Sequence, residues 1–180
     1  MKRPQQSSGN PELFVSVNFS AQDFDDPAFP DEILRATLAA EIDPGAIHIE
    51  LTERLLLRQS EQVKLILNRC RDIGIEIAVD DFGIGYSSLS YLHQYPVTTL
   101  KIDQSFIRNM ITDSSSPSLV NTIISLSENM GFETIAEGVE THERAQLLAS
   151  LKSQVAQGHY YARPMSKSAM VQLLGKTGHA

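Results

Sequence analysis

From residue 13 onward, short apolar and β-branched runs alternate with longer segments whose apolar residues recur every three or four positions. The short runs predict strands at about 13–18, 47–51, 75–80, 98–102, 133–137 and 154–157, the last one weak. Between them the helical period predicts a helix from about Asp31, as N-cap, to Ala40, ended by the turn Asp43-Pro44-Gly45. Another starts near Ser60 and stops at Gly74, with Cys70 on the same apolar face as Ile66 and Ile73, which predicts a buried thiol. A Gly-rich loop over Phe82 to Tyr86 leads to a short helix around Ser88 to His93. Then come a short helix near Gln104 to Met110 and a longer one from Pro117 to Met130 with Ser116 as its cap. The last two are predicted from His142 to Leu151, capped by Thr141, and from Lys167 to Leu174.

Strand–helix alternation of this kind predicts an α/β fold with a parallel sheet covered by helices, either doubly wound or barrel-shaped. The strand ends favour the barrel. Each run closes on polar chemistry at its C-terminal side: Asn18; Glu50 and Glu53; Asp80-Asp81; Lys101 and Asp103; Glu137 and Glu140; Gln157. In parallel α/β folds these ends share one face, where sites are built, and contributions from every strand suit a closed ring better than a single switch point.

Composition narrows the chemistry. The 180 residues are 42% hydrophobic and 21% charged, ordinary for a globular fold. Residues 1–12 are polar and Pro/Ser/Gly-containing, and read as a flexible leader; 177–180 read as a tail. No apolar run approaches the roughly 18 residues of a membrane helix, and no signal core stands at the start, so a cytoplasmic location is expected. One cysteine excludes an internal disulfide and a multi-cysteine zinc site. A formal net charge of −7 without a basic block argues against duplex nucleic acid as a partner. The strand-end carboxylates and amide are hard ligands, suited to Mg²⁺, Mn²⁺ or Ca²⁺. The pair Asp80-Asp81 could flank two cations about 3.5–4 Å apart, as in two-metal phosphoryl displacement, with Lys101 as the one fixed positive side chain.

Six motifs then carry a resemblance. Val17-Asn18-Phe19-Ser20, Glu50-Leu51-Thr52-Glu53, Asp80-Asp81-Phe82-Gly83-Ile84-Gly85-Tyr86-Ser87-Ser88-Leu89, Leu100-Lys101-Ile102-Asp103, Ala136-Glu137-Gly138-Val139-Glu140-Thr141 and Gln157-Gly158 resemble, in order, the EAL domain. The resemblance implies a TIM-type (βα) barrel and a metal-dependent phosphodiesterase that linearises cyclic di-GMP to pGpG. It further implies Asn18, Glu50, Asp80, Asp81 and Glu137 as metal ligands, with Mg²⁺ or Mn²⁺ as the cofactor in a two-metal site. Lys101 would help activate water, with Asp103, Glu140 and Gln157 in support. Glu53 would hold the loop Phe82 to Ser88, which the family uses to couple metal, substrate and dimerisation. A homodimer and an upstream sensor or GGDEF domain also follow from the resemblance.

The family's name motif, Glu-Ala-Leu followed shortly by Arg, does not occur in these residues. A TIM barrel needs about 250 residues and eight βα units, so residues 13–176 are expected to form a partial EAL domain of about six units, incomplete at its N-terminal side. The motif's Glu is a metal ligand in the family and its Arg contacts substrate, so weak or no hydrolysis is expected of this chain alone. The alternative is a degenerate, non-catalytic module that binds cyclic di-GMP or a protein partner.

Overall fold

A computed structural model describes residues 13–84, 89–113 and 115–177. The expected leader, all but the first residue of the tail, and the Gly85 to Ser88 part of the Gly-rich loop and following helix lie outside the described residues. Six strands form one sheet in chain order: β1 (Val15–Asn18), β2 (Ile47–Thr52), β3 (Glu76–Phe82), β4 (Thr99–Ile102), β5 (Glu133–Ala136) and β6 (Val155–Ala156). Every neighbouring pair is parallel, and β1 and β6 are the two edges. The helices are α1 (Phe29–Ala39), α2 (Glu53–Leu56), α3 (Glu61–Asp72), α4 (Gln104–Asn109), α5 (Ser116–Met130), α6 (His142–Ser150) and α7 (Lys167–Thr177).

The register divides the sheet into two unlike faces, because side chains alternate along a strand and register partners share a face. Ile49, Leu51, Ile77, Val79, Leu100, Ile102 and Ala136 all lie on the helix-covered face and belong to one buried core. The opposite face carries His48, Glu50, Glu76, Ala78, Asp80, Thr99, Lys101, Glu133 and Ile135. Strands buried on both faces of a parallel sheet are normally apolar throughout. Here the second face is strongly polar.

One irregularity sets the site. Val79 pairs with Leu100 and Phe82 with Ile102, so β3 spends three steps where β4 spends two. The extra residue of this β-bulge turns Phe82 back into the helix-side core and leaves Asp80 and Asp81 together at the strand end. Asp81 takes the left-handed backbone conformation, φ 55°, to make this turn.

Helix ends differ from the sequence expectation in three places. α1 starts at Phe29, with Ala28 as N-cap, because Asp26 Oδ1 accepts from the Ala28 N–H at 2.8 Å and fixes the entry turn; Asp31 sits in the first turn instead. Its carboxylate is free to pair with Arg69 of α3 at 2.9 Å. At α5, Ser116 is the first helical residue and the upstream Asp113 does the capping, accepting from the Ser115 N–H and from the Ser115 and Ser116 hydroxyls. These bonds hold the Asp113 carboxyl below its usual range. α7 runs on to Thr177. A single helical turn, α2, and a 3-10 turn at Ala21–Asp25 were not foreshadowed by periodicity, being too short to show one. Cys70 is buried as expected, and burial pushes its thiol up to about 12.

The loops after β5 and β6 lock together through a close backbone approach. Val139 N–H donates to the Gln157 carbonyl at 3.0 Å and Tyr160 N–H donates to the Val139 carbonyl at 3.0 Å. A Cβ on Gly158 would fall inside the Val139 backbone. Gly158→Ala should therefore lower stability by about 2–4 kcal/mol; urea unfolding checks this, and a loss below about 0.5 kcal/mol would show that the two loops part easily.

Candidate active site

At the C-terminal end of the polar face, the Lys101 ammonium meets three carboxylates: Glu50 Oε2 at 2.6 Å, Glu137 Oε1 at 2.7 Å and Asp80 Oδ1 at 3.2 Å. Four strands supply these groups. Asp80 on β3 and Glu137 just past β5 flank Lys101 on β4. Glu50 lies farther off on β2, and the β3 residue in register with it is Ala78, whose methyl leaves room for the lysine stem to cross. Lys101 and Glu50 are almost wholly buried, with side chains 3% and 5% exposed, while Asp80 and Glu137 keep 17% and 19% open to solvent.

Burial disfavours the ammonium, but the hydrogen bonds to Glu137 and Glu50 and the charges of Glu137 and Asp80 outweigh it, so the Lys101 pKa is raised and the side chain is held charged. Burial likewise raises the Glu137 pKa, an effect that its bond to Lys101 opposes. Asp81 sits at the open rim. Partial desolvation, then the charges of Asp80 and Asp103, raise its pKa.

The remaining strand-end residues surround this cluster at different depths. Asn18 ends β1 in register with Glu50, on the same face, and is exposed. Asp103 is buried and caps α4: it accepts from the Ser105 N–H at 2.8 Å and from the Ser105 hydroxyl, and also reaches Asp81. Gln157 follows β6 and lines a cavity of about 450 Å³ together with Gln104, Arg108, Glu137, His159 and Arg163. His159 is exposed at its mouth. Glu140 stands on the flank of that cavity, exposed and paired with Arg108 at 3.5 Å and Arg144 at 3.6 Å. Glu53 is 4% exposed, and its Oε2 accepts from the Gly83 N–H at 3.3 Å, so it grips the start of the loop that follows β3. Sequence reasoning did not single out Arg108, Arg144 or Arg163. Arg144 lies four residues after Glu140, the helical pairing interval, which was a usable signal. The other two reach the site only through the packing of α4 and the segment after β6.

The donor set is all oxygen and strongly anionic, the chemistry that suits Mg²⁺, Mn²⁺ or Ca²⁺. Glu50, Asp80 and Glu137, with Asn18 and Asp81 beside them, are the residues that could hold such a cation. Among the described residues no three acidic or histidine side chains already stand at metal-ligating spacing, because the lysine ammonium lies between the carboxylates.

The chain belongs to the EAL domain family, whose model matches residues 1–164. The cyclic di-GMP phosphodiesterase PA2567 of Pseudomonas aeruginosa is 38% identical over 161 residues, covering 89% of this chain and 27% of that protein. The oxygen sensor protein DosP of Escherichia coli is 34% identical, covering 84% of this chain and 19% of its own length. The chain thus spans about a quarter of the length of such relatives. Among solved structures, the EAL domain of Mycobacterium smegmatis DcpA superimposes with a TM-score of 0.85 at 31% identity, covering 91% of this chain and 73% of that one. The Klebsiella pneumoniae BlrP1 complex with manganese and cyclic di-GMP gives 0.79 at 29%, covering 84% and 39%. The six parallel strands are thus part of a TIM-like barrel with its helices outside.

The strain at Asp81 is measurable. A left-handed conformation at a non-glycine residue costs about 1 kcal/mol or more, and the charge of Asp80 adds to it. Asp81→Gly should raise stability by about 1 kcal/mol in urea unfolding at neutral pH, and a comparable loss would mean that the Asp81 carboxylate makes contacts outweighing the strain.

Proposed function

We propose that residues 13–176 form the catalytic part of a cyclic di-GMP phosphodiesterase, hydrolysing one phosphodiester of the cyclic dinucleotide to give pGpG. The observation that carries this reading is the convergence of Glu50, Asp80 and Glu137 on Lys101 at the C-terminal end of the sheet, in a chain of the EAL family. The names of the relatives support it, as do the manganese and calcium complexes of BlrP1 with cyclic di-GMP.

In this reading Asn18, Glu50, Asp80, Asp81 and Glu137 hold Mg²⁺ or Mn²⁺. When bound, such cations supply Lewis acidity toward the phosphodiester and offset the carboxylate charge. Lys101 keeps a fixed positive charge beside the reacting phosphate and orients the attacking water. Asp103 and Gln157 fix the rim on which substrate and water sit. Glu140, held between Arg108 and Arg144, steadies the loop that carries Glu137. Glu53 couples the loop after β3 to the site, and through that loop a homodimer would communicate with it. The cavity beside Glu137 brings Arg108 and Arg163 near the carboxylates Glu137 and Glu140, and guanidinium groups there are donors suited to phosphate oxygens of the dinucleotide. Among the described residues no helix is long and apolar enough to cross a membrane. A nucleotide second messenger as substrate supports a cytoplasmic location in this reading. Sensor or GGDEF domains would lie outside this sequence.

The non-catalytic reading, a module that binds cyclic di-GMP or a protein partner, rests on one observation. These 180 residues lack the Glu-Ala-Leu tripeptide and its following Arg. The two readings part in an assay. The 180-residue chain with Mg²⁺ or Mn²⁺ should turn over cyclic di-GMP slowly or not at all. Placing an EAL-type first pair of βα units ahead of it should close the barrel and give activity. In that extended protein Glu50→Ala or Asp80→Ala should abolish turnover, while Lys101→Ala should lower kcat without weakening metal binding, since an ammonium cannot ligate. An extended protein that binds cyclic di-GMP without hydrolysing it would favour the binding module. Rapid hydrolysis by the unextended chain would show that the Glu-Ala-Leu unit is dispensable.

A further inference from the structure

We infer that Lys101 is the resident cation of the metal-free site: it holds Glu50, Asp80 and Glu137 in place until a divalent cation takes over those carboxylates, and by competing for them it weakens that cation's binding. The inference deepens the metal-site reading above and rests on it.

The geometry is that of an ammonium site. An ammonium has three N–H donors and no acceptor; Glu50 and Glu137 accept hydrogen bonds from it, and Asp80 adds a third negative charge as an ion pair. The two short distances, 2.6 Å to Glu50 and 2.7 Å to Glu137, are those of charge-assisted hydrogen bonds, and Asp80 stands at ion-pair distance, 3.2 Å. Divalent cations need oxygens closer, at about 2.0–2.2 Å for Mg²⁺ and about 2.3–2.6 Å for Ca²⁺. In keeping with this, the described residues include no ready-made cation-ligating set. Three carboxylates brought together on one partly buried sheet face would repel one another if nothing positive lay between them. Lys101 comes from the same sheet, so its counter-charge is present at folding and needs no ion from solution.

Loading a divalent cation then requires the carboxylates to turn away from the ammonium. The lysine cannot leave. Its stem is 3% exposed and anchored on β4 between two hydrogen-bonded strands, so its charge stays near the incoming cation and repels it. The same side chain therefore assembles the site and limits its affinity.

The test uses the 180-residue chain. Without metal, Lys101→Met should melt at a clearly lower temperature than wild type. By calorimetry it should bind Mn²⁺ at least tenfold more tightly, because the competing charge is gone. If Lys101→Met does not fold, the decision passes to the wild-type chain, whose slowly exchanging Lys101 Nζ signal is followed by NMR during a Mg²⁺ titration. The signal should move and exchange faster with water as the carboxylates change partner. Mn²⁺ binding that is equal or weaker in Lys101→Met overturns the inference and leaves the metal site standing, as does an Nζ signal unmoved at saturating Mg²⁺. Failure of both chains to bind either cation removes the metal site and the inference together.

Discussion

Three carboxylates on one sheet face repel one another strongly unless something positive lies among them, and in this chain the positive group is a single lysine from the neighbouring strand. Lys101 is almost fully buried, yet its hydrogen bonds and the surrounding negative charge keep it protonated. Much else is arranged so that this contact can form. Ala78 is small where the lysine stem must cross β3, and Thr99 shares its face without filling the space. The helix-side residues of the same strands, Ile77, Val79, Leu100 and Ile102, form the core that holds the strands in register. Losing one partner of a buried charge cluster costs far more than the cluster adds to stability, because the others are left uncompensated. A polar face of this kind is kept for what it binds.

The β-bulge in β3 is the second constraint. Regular alternation would send Asp81 toward the helices and Phe82 toward the polar face. The inserted step reverses both, at the cost of a left-handed residue. Two adjacent carboxylates at one strand end are thereby presented to the same side, and Phe82 seals the core beneath them. The loop that follows is gripped at once by Glu53 through the Gly83 N–H. A buried acid, a bulge and a loop are thus coupled within a few residues, which gives a physical route by which changes at the loop would reach the carboxylates.

The open edges of the sheet set the limits of these residues on their own. β1 carries Val15 and Val17 largely exposed on the side where β2 has its core residues, and α7 exposes Met170, Val171 and Leu174. β1 is one edge of the strand order, and α7 follows β6, the other edge. Apolar surface there is surface that further strands and helices of a TIM-like barrel would cover.

How much of this could be read from the sequence follows from the range of the forces involved. Strand and helix positions are local matters of period and turn chemistry, so six strands were legible within about two residues and the main helices within about three, and the strand-end position of Glu50, Asp80, Lys101 and Glu137 placed them at one end of the sheet. Family membership was legible too, because the motifs are contiguous runs such as Asp80-Asp81-Phe82-Gly83. The capping of α5 by Asp113 and the entry turn at Asp26 were not, since several hydroxyls and acids near each helix end compete and only packing selects one. Nor does spacing tell that Lys101 rather than a metal ion lies between the carboxylates, that Glu140 is taken by Arg108 and Arg144, or that Asp103 is spent capping α4 beside Asp81. Those outcomes depend on which groups a particular sheet register and helix packing bring within about 3 Å of each other, and at that range hydrogen bonding and desolvation, not sequence order, choose the partners.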